Sequence, residues 1–382
     1  MALALACLLS ANAFAASSSS AARETSDGDQ WELATAADSS GHLYMLYPQY
    51  KNSADCAACW TPSMTLLMSD DNGSHWDAPR GLTPPSSAQV QPQMTIDSGD
   101  HRTVYATWLE DSQKSVVVAK SSDYGQSWSI ALADHAAVAA ERPVIAASSQ
   151  QVYVAFSRAG KLRVATSKNG AITFSTTTVD AAAKALPGGL TIDSDGGVYV
   201  AWSQYVSHRV LLKISKLEQS GNWTTSLMDT SRAPEGCSDY HCAWGYMGAD
   251  ISIASDAAGV LYALWTSSTT GSPERVYFAS STTHSDSWSA RTGVSNADAS
   301  VRHARPIIAA GAAGQVRIAW MDSRHTPEWD TYTRSSTNGG ATWSDETIIS
   351  AGKLSTETVP VTAPDASESA RLQPQDSPLG GE

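Results

Sequence analysis

Six times along this 382-residue chain an apolar, β-rich run meets a Gly/Asp/Ser turn and returns as a second strand that closes on an aromatic residue. The copies read ELATAADSSGHLYMLY (32–47), QMTIDSGDHRTVYATW (93–108), PVIAASSQQVYVAF (143–156), GLTIDSDGGVYVAW (189–202), DISIASDAAGVLYALW (250–265) and PIIAAGAAGQVRIAW (306–320). Their β-branched and aromatic content and their turn residues mark each as a hairpin. A third strand follows each hairpin and ends in a second turn. A four-stranded sheet cannot bury both of its faces alone, and stacking copies around a ring solves that problem. The expected fold is all-β, a six-bladed β-propeller of four-stranded antiparallel blades over residues 30–352, with about 24 short strands.

The second turn has its own signature. Ser69-x-Asp71-x-Gly73-x-x-Trp76 and Ser121-x-Asp123-x-Gly125-x-x-Trp128 share the pattern S-x-D-x-G-x-x-W, and Ser336-x-Asn338-x-Gly340-x-x-Trp343 puts Asn in the Asp place. Three decayed copies keep only the aromatic, at Phe174, Trp223 and Trp288, so the six aromatics recur every 46 to 65 residues. Asp or Asn bonds nearby backbone N–H groups, Ser supports the turn and Gly takes positive φ. The aromatic is expected to cover the gap between blades. If fully buried there, its loss costs about 3–5 kcal/mol.

Charge narrows the partners. The net charge is −13, which opposes a phosphate backbone, so nucleic acid is not an expected partner. Residues 2–9 (ALALACLL) followed by Ala13-Phe14-Ala15 read as an export signal over 1–15, although no basic residue precedes the apolar run. That run is too short to span a bilayer. The expected product is a secreted or periplasmic monomer with a flexible start at 16–29. The stretch 353–382, rich in Pro, Ser and acids, reads as a disordered tail.

With Cys7 in the signal, four cysteines remain: Cys56, Cys59, Cys237 and Cys242. An even number in an exported chain points to disulfides, with three pairings open. Two local bridges are favoured. A zinc site of four thiolates, or of three with His241, is the alternative. No other metal and no cofactor is expected.

The S-x-D-x-G-x-x-W turns and the alternating hairpins resemble the sialidase-like Asp-box (BNR-repeat) proteins over residues 30–350, most closely in WMDSRHTPEWDTYTRSSTNGGATWS (320–344). The resemblance implies that the hairpin turns and boxes share one face of the ring. The opposite face then carries the site, and a sialidase there uses an Arg cluster, an Asp acid and a Tyr nucleophile. Long loops gather on that face. They bring Trp60, His241, Trp244, Tyr246, Trp329 and Asp330, with Tyr205 from blade 4, as candidate ligand contacts. Alignment of the repeats places Glu32, Gln93, Arg142, Gly188, Asp250 and Arg305 around the channel entrance. Arg142 and Arg305 could clamp a sugar carboxylate, or they could pair with Asp250 or Glu32 to stabilise the channel.

The resemblance has gaps. The family's F/Y-R-I-P motif is replaced by Asp29-Gln30-Trp31-Glu32-Leu33, and the last inner strand, Val301 to Pro306, holds no Tyr. A sialidase built on this chain would use Arg142, Arg305 and Arg324 as its Arg triad. Asp250 or Asp322 would be its acid, and Tyr332 or Tyr240 its nucleophile. Asp322 and Arg324 are equally read as a local ion pair. Three expectations follow: a glycan-directed hydrolase of sialidase type, a propeller that binds a glycan, a sugar acid or a protein without turnover, and an enzyme acting on another acidic sugar or polysaccharide through a different constellation.

Overall fold

The computed structural model describes residues 32–49, 62–82, 87–182, 184–234, 248–325 and 329–349. They form 24 strands in six four-stranded antiparallel sheets, each built from one contiguous stretch with its strands in sequence order. The sheets cover 34–81, 90–135, 140–180, 185–232, 251–293 and 303–348. The inner strands are Ala34–Ala37, Val90–Ile96, Ala140–Ser148, Ala185–Ile192, Ile251–Ser255 and His303–Ala310. Each packs on the next from blade 1 to blade 6. The fold is the six-bladed propeller that the repeat predicts.

The second strand of each blade explains the packing. Tyr105 and Trp108 stand three residues apart on one strand, so they point to opposite faces. Trp108 packs in the cluster shared with blade 1, and Tyr105 in the cluster shared with blade 3. The arrangement repeats with Tyr153 and Phe156, Tyr199 and Trp202, and Tyr262 and Trp265. Each seam thus receives a Tyr from one blade and a Trp or Phe from the next. The pattern fails at the ring closure, where Arg317 takes the Tyr place in blade 6 and Tyr47 the Trp place in blade 1. Among the described residues, the cluster on that face of blade 1 holds Met45, Tyr47 and Leu67 as its buried members.

Aspartates in the hairpin turns stitch blades together. Asp97 accepts from Gly99 N in its own turn and from Ser149 N (2.7 Å) and Gln150 N (3.0 Å) of blade 3. Asp256 accepts from Tyr262 Oη at 2.7 Å and from Gly314 N of blade 6 at 2.7 Å.

Two of the three decayed boxes keep the full hydrogen-bond pattern. In blade 3, Ala171 N donates to Ser167 Oγ and Thr173 N to Asn169 Oδ1, with Ala171 at φ 66° in the glycine place. In blade 5, Thr283 and Ser285 substitute for Asp and Gly. Blade 4 has no box; a tight turn closes Glu218 N on Asn222 O at 2.8 Å. The box aromatics lie over the seams as expected, but all six are half-buried. Each is therefore worth about 1–2 kcal/mol rather than the larger figure for full burial. The fully buried aromatics are those of the second strands.

Candidate functional site

The entrances of the inner strands carry one recurrent distortion. Strand register slips at Gln91-Pro92, Arg142-Pro143, Gly188 and Arg305-Pro306. Gln91, Arg142 and Arg305 hold φ of 56°, 49° and 51°, and Glu32 matches them at 61°. A non-glycine residue held there costs of order 1–3 kcal/mol, and such positions concentrate at functional sites. In blade 4 the ring position is Gly188, where a Cβ would lie 2.1 Å from Ile251 O, so no side chain fits.

These positions are joined by polar contacts across blades. Gln91 N donates to Glu32 Oε2 (2.7 Å), and Arg142 N donates to Gln91 Oε1 (2.7 Å). Arg142 Nη1 donates to Asp250 Oδ1 at 3.1 Å, while Arg305 Nη1 stands 3.9 Å from Asp250 Oδ2. Thr266 Oγ1 accepts from Asp250 N at 3.1 Å and fixes that residue. The Arg142, Asp250 and Arg305 side chains are 20%, 16% and 32% exposed, so solvent reaches all three. Burial and the Arg142 charge together lower the pKa of Arg305, and Asp250, Glu32 and Tyr205 act against them. Tyr205 is buried in the seam between blades 4 and 5.

One correction applies to this ring. Blade 2 contributes Gln91, not Gln93, because the bulge falls on the Gln-Pro pair. The signal was in the sequence: Gln91-Pro92 matches Arg142-Pro143 and Arg305-Pro306.

The remaining described candidates form a separate group in blade 6. Arg324 donates to both Asp322 oxygens (2.6–3.0 Å) and to Glu346 Oε2 (2.8 Å). Asp322 is fully buried and also accepts from Trp320 Nε1. The Asp322–Arg324 pair is thus the local ion pair, and it is not an exposed acid beside a free cation. Tyr332 is 3% exposed beneath the Arg324 guanidinium, which lies 3.7 Å from its ring centroid. Its Oη is 3.5 Å from His325 Nδ1, which contacts Asp330 Oδ2 at 2.6 Å. Trp329 is half-buried. Arg324 and Tyr332 are therefore committed to blade 6 packing: Arg142 and Arg305 share Asp250, whereas Arg324 pairs with Asp322 and Glu346.

Nearby is a buried pair that sequence reading missed. His303 bonds Glu274 O through Nδ1 and Ser295 Oγ through Nε2, both at 2.8 Å. Burial lowers the His303 pKa and raises the Glu274 carboxyl to about 7. Trp60, Tyr240, His241, Trp244, Tyr246 and the four cysteines lie outside the described residues, as do 1–29 and 353–382. Among the described residues, no group of three or more His, Cys, Asp or Glu could hold a metal, and no helix is long and apolar enough to cross a membrane.

Comparison with known proteins places this geometry. The family described as BNR repeat-like domain matches residues 11–244. Among curated protein sequences, none matches. An ulvan lyase of polysaccharide lyase family PL25, bound to a GlcA(1-4)Rha3S unit, superposes with a TM-score of 0.53 at 10% identity, covering 85% of each chain. A mutant NanB sialidase from Streptococcus pneumoniae gives 0.51 at 10% identity over 78% of this chain and 65% of that one. AofleA from Arthrobotrys oligospora gives 0.51 at 13% identity, over 91% and 95%. At such identities the likeness is one of fold.

Proposed function

This chain belongs to the BNR repeat-like family, and on that premise we propose that it is a glycan-binding propeller whose ligand seats at the channel mouth on Arg142, Asp250 and Arg305. The observation that carries the reading is the convergence of two guanidinium groups from different blades on one carboxylate, all three open to solvent. Paired guanidinium groups suit the carboxylate or sulfate of an acidic sugar, which Arg recognises in bidentate fashion. The backbone strain at Arg142 and Arg305 supports a role beyond packing. Two proteins of like fold point the same way: the ulvan lyase is bound to a glucuronate-containing unit, and NanB is a sialidase.

Binding is favoured over sialidase turnover because Arg324 and Tyr332 are engaged within blade 6. The apolar run at 2–9 and Ala13-Phe14-Ala15 support action outside the cytosol.

The test is calorimetric titration with sialyllactose and with glucuronate-containing oligosaccharides. Arg142→Ala should weaken binding of the acidic ligand at least about tenfold, as expected for loss of a charge-assisted contact. Unchanged affinity in that variant would remove the site. Release of fluorophore from a fluorogenic sialoside anywhere between about pH 4 and 8 would replace binding with hydrolysis as the function.

A further inference from the structure

Blade 4 departs from the repeat in a way that opens a second cavity. Because its third and outer strands are joined by a tight turn instead of a box, the outer strand Trp223–Arg232 runs for ten residues. The outer strands of the other blades have two to seven. The extended strand forms one wall of a cavity of about 360 Å³, and the box of blade 5 forms the other. Leu227 and Met228 line the first wall; Ser287, Trp288 and Arg291 line the second. That volume falls at the small end of ligand pockets, enough for one sugar ring.

The chemistry of the walls is mixed and pre-arranged. Arg291 Nη1 donates to Asp229 Oδ2 across the seam at 2.6 Å, and its guanidinium lies 4.5 Å from the Tyr277 ring centroid. Asp229 is itself held by Trp265 Nε1 and Thr230 N, both at 2.8 Å. Arg291 remains 41% exposed, so a fixed cation presents its remaining N–H groups beside the cavity. Trp288 packs against the seam with its Nε1 buried and without a hydrogen-bond partner among the described residues. Leu227 is 57% exposed and gives the cavity an apolar edge. Charges balance: Arg291 faces Asp229, and Lys216 reaches Asp286 across the same seam at 3.3 Å.

We propose that this seam between blades 4 and 5 is a second carbohydrate subsite, taking one neutral sugar residue. Apolar groups meet the C–H face of a pyranose, while Arg291, oriented by Asp229, and Asp286, both lining the cavity, offer a donor and an acceptor to adjacent hydroxyls. The balanced charge distinguishes it from the channel mouth, where two guanidiniums share one acid. The proposal does not depend on the channel-mouth reading.

The test follows the Trp288 indole N–H by NMR in tryptophan-labelled protein, assigned through Trp288→Phe. Methyl glucoside, methyl galactoside and methyl rhamnoside are titrated one at a time. At least one should give a saturable shift with a dissociation constant of about 1–10 mM. Arg291→Ala should weaken it at least about tenfold, as should Ser226→Trp, which fills the cavity from an exposed position; both variants should melt like the parent. Arg142→Ala should leave the shift unchanged. The subsite is wrong if none of the three sugars saturates, if the shift survives in either seam variant, or if Arg142→Ala abolishes it.

Discussion

Arg142 of blade 3 and Asp250 of blade 5 meet at 3.1 Å although a whole blade lies between them in sequence. Blade 4 permits this because its own ring position is Gly188, packed against the Ile251 carbonyl. Gly188→Ala places a methyl group 2.1 Å from that oxygen. The backbone must shift, at a cost of about 1–3 kcal/mol. A fall of several degrees in thermal midpoint is expected, together with weaker binding of acidic glycan. A midpoint within a degree of the parent would show that the contact is not tight.

Glu274 makes stability depend on pH. It is 3% exposed, its Oε1 has no hydrogen-bond partner among the described residues, and burial raises its pKa from 4.5 to about 7 against the pull of its backbone N–H and Arg302. Between these two values the folded chain keeps a proton that the unfolded chain has released. Stability from this group therefore falls as pH rises through 4.5 to 7, by of order 3 kcal/mol, and is level above. Glu274→Gln should match the parent near the lower value and melt several degrees higher above the upper one. Parallel melting curves for the two proteins across that range would contradict the assignment.

Ala171 occupies the glycine place of the blade 3 box at φ 66°. The left-handed conformation costs Ala about 1–2 kcal/mol, of which the greater unfolded-state freedom of Gly returns about 0.4–1. Ala171→Gly should thus stabilise by roughly 0.5 kcal/mol, or about 1–2 °C in a differential scan. A lower midpoint would mean that the buried methyl contributes more packing than the conformation costs.

The seam between blades 6 and 1 should open first. Its Tyr and Trp places hold Arg317 and Tyr47, and Gly311 stands where Asp97 and Asp256 reach across other seams. Low local burial lowers the free energy of local opening. Hydrogen exchange in Leu43–Gln49 and Val316–Asp322 should outpace that in Val198–Val206. Equal protection in all three strands would argue against a weak closure.

Residues 1–15, read as an export signal, carry a prediction that cell fractionation tests. Protein recovered from the periplasm or medium of an expressing bacterium should begin at Ala16, after Ala13-Phe14-Ala15. Mature protein beginning at Met1 in the cytosol would contradict it.

Much of the channel ring was legible in advance. The Arg-Pro pairs at 142 and 305 recur at the same point of the repeat, and so place two guanidiniums together. The Asp322–Arg324 ion pair was legible too, because the two stand two residues apart at a strand end. Glu346, the second acid on Arg324, was not, because it lies 22 residues further on and spacing along a strand does not reveal it.

By itself the sequence determined how many blades form and which strand of each is inner. Both follow from a local repeat of turn residues and two-residue alternation, which act within a few residues of backbone. Tertiary structure decided the rest. The Arg142–Asp250 contact, the burial of Glu274 and the cavity beside Arg291 each depend on groups brought together from distant blades, and their energies exist only once the ring has closed.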